Sequence, residues 1–224
     1  MIVLVCDTSN STCCAGLYGD GRELSYELGM EKKTHSEVFM PLLDRVMKKA
    51  GKDYSEIDAI AVTVGPGSFT GIRIGLSAVK GIAYAIQKPC ISVSSTDALA
   101  RSVTPVDGEK DLIIIPSFDA RNKRVFASVK DAATMEELVK EGAYDSEELV
   151  SLLEKYKDRN IIVAGDGAPV MEEAMAGRFK AQFAPGAVIT PKGIYEASKD
   201  KEAIGAEQLT ASYCAVSSAQ RLKK

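Results

Sequence analysis

The sequence contains one histidine, His35, and no tryptophan among its 224 residues. A single imidazole cannot form a two-histidine metal site, and it leaves few choices for a group that exchanges protons at neutral pH. The five cysteines lie mostly in apolar stretches and lack metal-ligand spacing, which favours reduced, buried thiols of an intracellular protein. This composition predicts no two-histidine metal site and offers few candidates for acid–base catalysis, and we assign no metal ligand and no catalytic residue.

An excess of positive charge is also absent. The chain has 28 basic and 31 acidic residues, a net charge of -3 and a pI near 5.4, so we do not expect it to bind RNA with its whole surface. No apolar run approaches the roughly 20 residues of a membrane span, and the first residues lack the basic region of a signal peptide. We expect a cytoplasmic protein without membrane contact.

Apolar runs and turn signals predict alternating strands and helices. Strands are expected over residues 2–6, 13–18 and 22–28, followed by a helix that begins at the capping box Thr34-His-Ser-Glu37. A further strand leads into the glycine-rich segment Gly65-Pro-Gly-Ser-Phe-Thr-Gly-Ile-Arg-Ile-Gly75 and a second helix. This pattern is typical of the α/β class.

The opening pattern recurs after 112 residues. An apolar strand ends at Asp7 and another at Asp119, and a new strand is expected six residues after each aspartate. The sequence therefore predicts two similar subdomains, residues 1–107 and 108–224, with the terminal helix over 211–222 as a candidate to pack against the first.

The glycine-rich segment has three interpretations. Its backbone N–H groups could bind an anion, its glycines could allow close packing of another helix, or it could be a plain turn. It matches neither a P-loop nor a dinucleotide fingerprint, and we favour helix packing because each of Gly71, Gly75 and Gly81 costs about 0.5–1 kcal/mol within a helix.

Four other polar motifs each have two interpretations. Asp7, Thr8 and Ser9 form either a vestigial nucleotide site or a polar turn, and we favour the turn. His35 could be a general base, Gly165-Asp166-Gly167 could contact a nucleotide, and Arg121-Asn-Lys-Arg124 could contact RNA or phosphate. For each of these three we favour a structural role.

Several of these motifs together resemble the bacterial TsaB (YeaZ) family. The resemblance is dense over roughly the first hundred residues and rests above all on the eleven-residue glycine segment. Its other elements are Asp7-Thr-Ser9, His35-Ser-Glu37 with Pro41-Leu-Leu43, Val93-Ser-Ser95, Asp119-Ala-Arg121 and Gly165-Asp-Gly-Ala168.

The resemblance implies the actin-like ATPase (ASKHA) fold, with two ribonuclease-H-like subdomains of mixed sheets flanked by helices. It also implies a role in forming threonylcarbamoyladenosine next to the anticodon of tRNA, as the non-catalytic partner of TsaD and together with the ATPase TsaE. The implied tRNA contact is indirect, and ATP or ADP and a metal belong to the partner complex rather than to the isolated chain. The resemblance also implies that TsaD-like enzymes carry a His-x-x-x-His metal pair. The matching positions in this chain are Ser95 and Leu99, and neither side chain can replace an imidazole ligand.

The remaining expectation is an interaction surface. Two helices carry more apolar and small residues than one core needs, so we expect them to dock a helix pair of TsaD, or a second copy when the chain is alone. The expected interface residues are Phe39, Leu42, Leu43, Val46, Gly71, Ile72, Gly75, Leu76, Val79 and Ile82. The alternatives are a nucleotide-binding kinase or ATPase of the same fold, and a peptidase.

Overall fold

A computed structural model describes residues 1–29, 34–103 and 111–214. The chain divides into two compact units, one formed by Met1–Arg101 and Ile189–Ser212, the other by Ser102–Val188 and Tyr213–Lys224. The expected boundary at 107/108 falls outside the described residues, as does most of the helix expected over 211–222. A segment beyond residue 188 thus returns to the first unit.

The first unit is built on a six-stranded mixed sheet. Its strands are β1 (Ile2–Asp7), β2 (Cys13–Gly19), β3 (Arg22–Gly29), β4 (Ala59–Thr63), β5 (Cys90–Val93) and, numbered last along the chain, β11 (Ala203–Ile204). They lie in the order β11-β5-β4-β1-β2-β3, with β1, β4 and β5 parallel and β2 and β3 antiparallel to their neighbours. The continuous apolar run of β1 suits this central, fully covered position.

Four helices belong to this unit: α1 (His35–Lys49), α2 (Phe69–Ile86), α3 (Ser95–Val103) and, numbered last, α6 (Pro191–Ser198). The predicted capping box is present, because the Glu37 carboxylate accepts a hydrogen bond from the Thr34 backbone N–H at 2.9 Å. Helix α1 packs on β2 and β3, α2 packs on β4, and the two helices contact each other. Helix α6 lies against the strands too, with Tyr195 stacked on Tyr18 at 4.2 Å between ring centroids.

The second unit repeats the strand order of the first. Its sheet consists of β6 (Leu112–Asp119), β7 (Arg124–Asp131), β8 (Glu137–Asp145), β9 (Asn160–Ala164) and β10 (Ala181–Ala184), in the order β10-β9-β6-β7-β8. This order matches β5-β4-β1-β2-β3 element by element. Helices α4 (Ser146–Leu153) and α5 (Ala168–Met175) pack with the sheet around one apolar cluster. The α/β class, with two similar mixed sheets flanked by helices, is confirmed.

Candidate functional sites

The turn after β1 holds a fully buried carboxylate. Oδ1 of Asp7 accepts hydrogen bonds from the Ser9 backbone N–H at 2.9 Å, from the Ser9 hydroxyl at 2.5 Å and from the Thr63 hydroxyl. A further hydroxyl, that of Ser95, donates to Ser9 Oγ at 2.9 Å. The chain's own groups therefore saturate one oxygen of this carboxylate.

The second oxygen of the Asp7 carboxylate, Oδ2, differs from the first. Asp7 Oδ2 has no hydrogen-bond partner within the described part of the chain. Burial raises the pKa of Asp7, while hydrogen bonds from Ser9 and Thr63 and the nearby His35 oppose that rise. His35 itself lies with Nε2 2.8 Å from the Asn10 carbonyl oxygen, consistent with the structural role favoured from the sequence.

Glycines at the start of α2 lie against this turn. A Cβ added to Gly67 would come within 2.2 Å of the Ser9 carbonyl oxygen, and one added to Gly71 within 2.1 Å of the Thr8 carbonyl oxygen. The expectation that another helix approaches at Gly71 and Gly75 was wrong, since Thr8 fills the space beside both, whereas the expectation for Gly81 is not contradicted. Gly71 and Gly75 do allow close packing, but what packs against them is the turn after β1 rather than another helix.

Hydrogen bonds of the same segment bear on the anion-binding interpretation. The Ser68 backbone N–H donates to the Ser9 carbonyl oxygen at 2.7 Å and the Gly71 backbone N–H donates to Ser68 Oγ at 3.1 Å, so neither group is available to an anion. The described residues also contain no group of three His, Cys, Asp or Glu side chains placed to bind a metal ion. At the positions that resemble the TsaD histidines, Ser95 bonds Ser9 and Leu99 is fully buried.

Most of the expected interface residues lie inside the first unit. Nine of the ten are buried, and the partial exception is Ile82. The physical reason is that β2 and β3, together with α2, cover the apolar stripe of α1, while β4 and α1 cover the apolar row of α2. Seven of the nine contribute side chains to the core, and Thr8 lies against the other two, Gly71 and Gly75, so none of the nine can be the contact surface.

A different side of α2 faces outward. We call it the α2 outer face; its exposed or half-exposed residues are Phe69, Thr70, Arg73, Ile74, Ser77, Ala78, Lys80, Gly81, Ile82, Tyr84 and Ala85. Tyr84 is 84% exposed, and Phe69 at the start of the helix is 40% exposed beneath the Arg73 guanidinium, 3.6 Å from its ring centroid. Helix α2 is long and apolar enough to meet a minimal test for a membrane span, a test that core helices of soluble proteins also pass, yet only a third of its residues are buried.

Gly81 lies at the centre of the α2 outer face. A Cβ built at this position meets nothing within 4 Å, so no contact inside the described residues requires a glycine. Gly71 and Gly75 differ, because Thr8 excludes a side chain at both. Of the three glycines in α2, Gly81 is the one for which the described residues show no contact that requires a glycine.

In the second unit the polar motifs form turns. Asp166 Oδ1 accepts from the Asp119 backbone N–H at 3.1 Å, and Gly167 approaches Ser117 so closely that a Cβ would lie 2.3 Å from its hydroxyl. Burial raises the pKa of Asp166. Residues 121–124 form the hairpin turn between β6 and β7, and Nζ of Lys123 lies 3.6 Å from Oε1 of Glu173. These are the structural roles favoured from the sequence.

Comparison with known proteins places these features in a family. The family model for TsaD, tRNA N6-adenosine threonylcarbamoyltransferase, matches residues 30–212. A tRNA threonylcarbamoyladenosine biosynthesis protein TsaB from Bacillus subtilis (strain 168) is 30% identical over 167 residues, which cover 74% of this chain and 71% of that protein. The chain belongs to the TsaB family.

Two further relatives extend the match. The TsaB protein of Haemophilus influenzae is 29% identical over 128 residues, 57% of this chain, and the matched part spans about half of that relative's length, 53%. A solved structure from Pseudomonas aeruginosa, described as an uncharacterized protein with similarity to peptidase YEAZ, has a TM-score of 0.81 at 25% identity, covering 96% of this chain and 99% of that one. The ASKHA-type fold implied by the resemblance is thereby confirmed.

Proposed function

We propose that this TsaB-family chain acts in the cytoplasm as the non-catalytic partner of a TsaD-like protein in forming threonylcarbamoyladenosine on tRNA, and that it docks through the α2 outer face. The α2 outer face replaces the buried residues that the sequence had suggested. In this proposal a TsaE-like ATPase joins the complex, the nucleotide and metal belong to the partner complex, and tRNA contacts the chain only indirectly.

Gly81 carries the proposal. A glycine in a helix interior costs about 0.5–1 kcal/mol relative to alanine, and no contact in the unit offsets that cost. A close approach by a helix from another chain would offset it, because a missing Cβ lets two helix backbones come together. Ser77 and Ala85, one helical turn to either side, are small as well and continue the same track.

The composition of the α2 outer face supports a protein partner. Ile74, Ala78 and Ile82 are only half-buried, and Tyr84 and Phe69 add aromatic surface at the two ends of the helix. Aromatic side chains are common anchors in protein interfaces, and clusters of exposed apolar residues mark such surfaces. When the chain is alone, the same surface is available to a second copy, which is the homodimer that we propose for the isolated protein.

Similarity to the transferase model suggests the partner's shape. The chain shares its fold with the TsaD family, so a TsaD-like protein has helices equivalent to α1 and α2. Two related folds can then meet through equivalent helices in a pseudo-symmetric contact.

A matched pair of substitutions tests this proposal. Ser77→Arg places a large charge on the α2 outer face, whereas Ser151→Arg places the same charge on an exposed serine of α4. Both variants are co-purified with a TsaD-like protein and a TsaE-like ATPase, and tRNA modification is measured with the chain present, absent or substituted. We expect S77R to lose co-purification and modification and S151R to keep both. Full modification without the chain, or with S77R, would contradict the proposal.

A further inference from the structure

The turn formed by Asp7, Thr8 and Ser9 holds the start of α2. The Ser68 backbone N–H donates to the Ser9 carbonyl oxygen at 2.7 Å, directly before the first residue of the helix. The Thr8 hydroxyl donates to the Gly71 carbonyl oxygen at 2.7 Å, inside the first turn. The contacts of Gly67 and Gly71 described above close the remaining space. Any shift of this turn would therefore move the beginning of α2.

Hydrogen bonds also fix this turn to the sheet. Asp7 is the last residue of β1, and its carboxylate accepts a hydrogen bond from the hydroxyl of Thr63, the last residue of the neighbouring strand β4. Ser9 is held by Asp7 and by Ser95, whose backbone N–H donates to the Gly65 carbonyl oxygen at 2.9 Å. These hydrogen bonds join the ends of two parallel strands, the start of α3 and the start of α2 through one buried carboxylate.

We infer that Asp7 is a positioning residue: acting through Ser9, it sets where α2 begins and so where the α2 outer face is presented to a partner. The inference rests on the proposed function for the role of that face. It assigns a present use to a motif that sequence reasoning could interpret only as a vestigial nucleotide site or a polar turn.

The hydrogen bonds specify which property of Asp7 matters. The Ser9 backbone N–H and the hydroxyls of Ser9 and Thr63 all donate to Oδ1, and Oδ2 has no partner in the described part of the chain. An asparagine keeps an acceptor at Oδ1 and removes the charge of a fully buried carboxyl group. Asp7→Asn is therefore expected to preserve the turn, whereas Asp7→Ala removes the acceptor. A site that bound a cation through Oδ2 would require the carboxylate and would not tolerate the amide.

Amide hydrogen exchange of the full-length chain reads the turn directly. The Ser68 N–H reports the bond to Ser9, and the Ile72 N–H, which donates to the Ser68 carbonyl oxygen at 2.9 Å, reports the first turn of α2. We expect Ser9→Ala and the isosteric Thr63→Val to speed exchange at both amides about tenfold. We expect D7N to change it less than twofold. Ser128→Ala, which removes a buried hydroxyl without a partner in the second unit, is the control and should change nothing.

Affinity for the TsaD-like protein is measured on the same variants. We expect S9A and T63V to weaken binding about three- to tenfold and D7N to match the unsubstituted chain, and calorimetry of D7N with Mg²⁺ alone should show the same response as the unsubstituted chain. Faster exchange with unchanged affinity in S9A and T63V would overturn the inference, and so would a D7N variant that behaves like D7A or loses a Mg²⁺ response.

The S77R variant separates two kinds of failure. If S77R abolishes binding while S9A and T63V leave it intact, the positioning role of Asp7 falls and the proposed function stands. If S77R binds the TsaD-like protein normally, the proposed docking face falls, and the inference drawn from it falls with it.

Discussion

Replacing Gly81 by alanine should stabilise the isolated chain and weaken its complex. In the isolated chain the new methyl group meets nothing within 4 Å, so only the helix-forming preference changes. Alanine is favoured over glycine in an exposed helix interior by about 0.5–1 kcal/mol. For a chain of this size that gain corresponds to an increase in Tm of roughly 1–4 °C.

In the complex the same methyl group would occupy the space that we assign to the partner's backbone. Overpacking of a close contact costs typically about 1–3 kcal/mol, which is roughly a 5- to 150-fold rise in Kd. Thermal unfolding of the isolated chain and titration against the TsaD-like protein measure the two effects separately. Ser151→Ala is the control, because it adds helix preference to an exposed position of α4 away from the proposed contact.

Opposite signs are the essential feature of this prediction. A destabilising change at a contact residue is common, whereas a substitution that stabilises the chain and weakens its complex identifies a glycine kept for the partner. If G81A raises Tm and binds with unchanged affinity, no backbone approaches Gly81. If G81A lowers Tm, the cost assigned to glycine in α2 is wrong.

Three further predictions concern the fold. Gly75→Arg and Leu76→Arg, at two positions that the sequence placed in the interface, should destabilise the chain by about 3 kcal/mol or more in urea unfolding. Both positions are buried and a Cβ at Gly75 would lie 2.3 Å from the Thr8 hydroxyl, so normal unfolding of either soluble variant would contradict this. The hydrogen bond from Arg159 lowers the pKa of Asp131 to about 2 from its usual 3.8, so the contribution of Asp131 to stability is present above about pH 4 and is lost as pH falls toward 2. Asp131→Asn should therefore lose less stability than the unsubstituted chain between about pH 4 and pH 2, and an identical dependence of the unfolding free energy on pH would refute this prediction. Burial raises the pKa of Cys13 to about 12 and that of Cys6 and Cys14 well above the usual range, so these thiols should not react with iodoacetamide at pH 8 until the chain is unfolded, and rapid labelling of the folded chain at any of them would be the opposite result.

Local patterns predicted most elements of the fold. The apolar run of β1, the capping box at Thr34 and the repeat after 112 residues each depend on neighbours in the chain, and each has its counterpart in the structure. Strands β8, β10 and β11 were not predicted, because their sequences are short or mixed in polarity and their place is decided by the sheet edge that they join.

The functional surface was harder to predict, for a physical reason. A helical row of apolar residues shows that one side of a helix is covered, but not whether the cover comes from the same chain or another. Phe39 and Leu76 therefore resembled interface residues until the sheet was seen to cover them. The difference between Gly71 and Gly81 depends on a contact with Thr8 that is 63 residues away in sequence, so spacing alone could not reveal it.

Photo-crosslinking from the α2 outer face tests docking at that surface most directly. A benzophenone side chain replaces Ser77 in one variant and Ser151 in another, and each is irradiated with the TsaD-like protein. The proposed contact predicts a crosslink from position 77 to a helix of the partner, and none from position 151. Capture of the partner from position 151 alone, or from neither position in a complex that still forms, would contradict docking through α2.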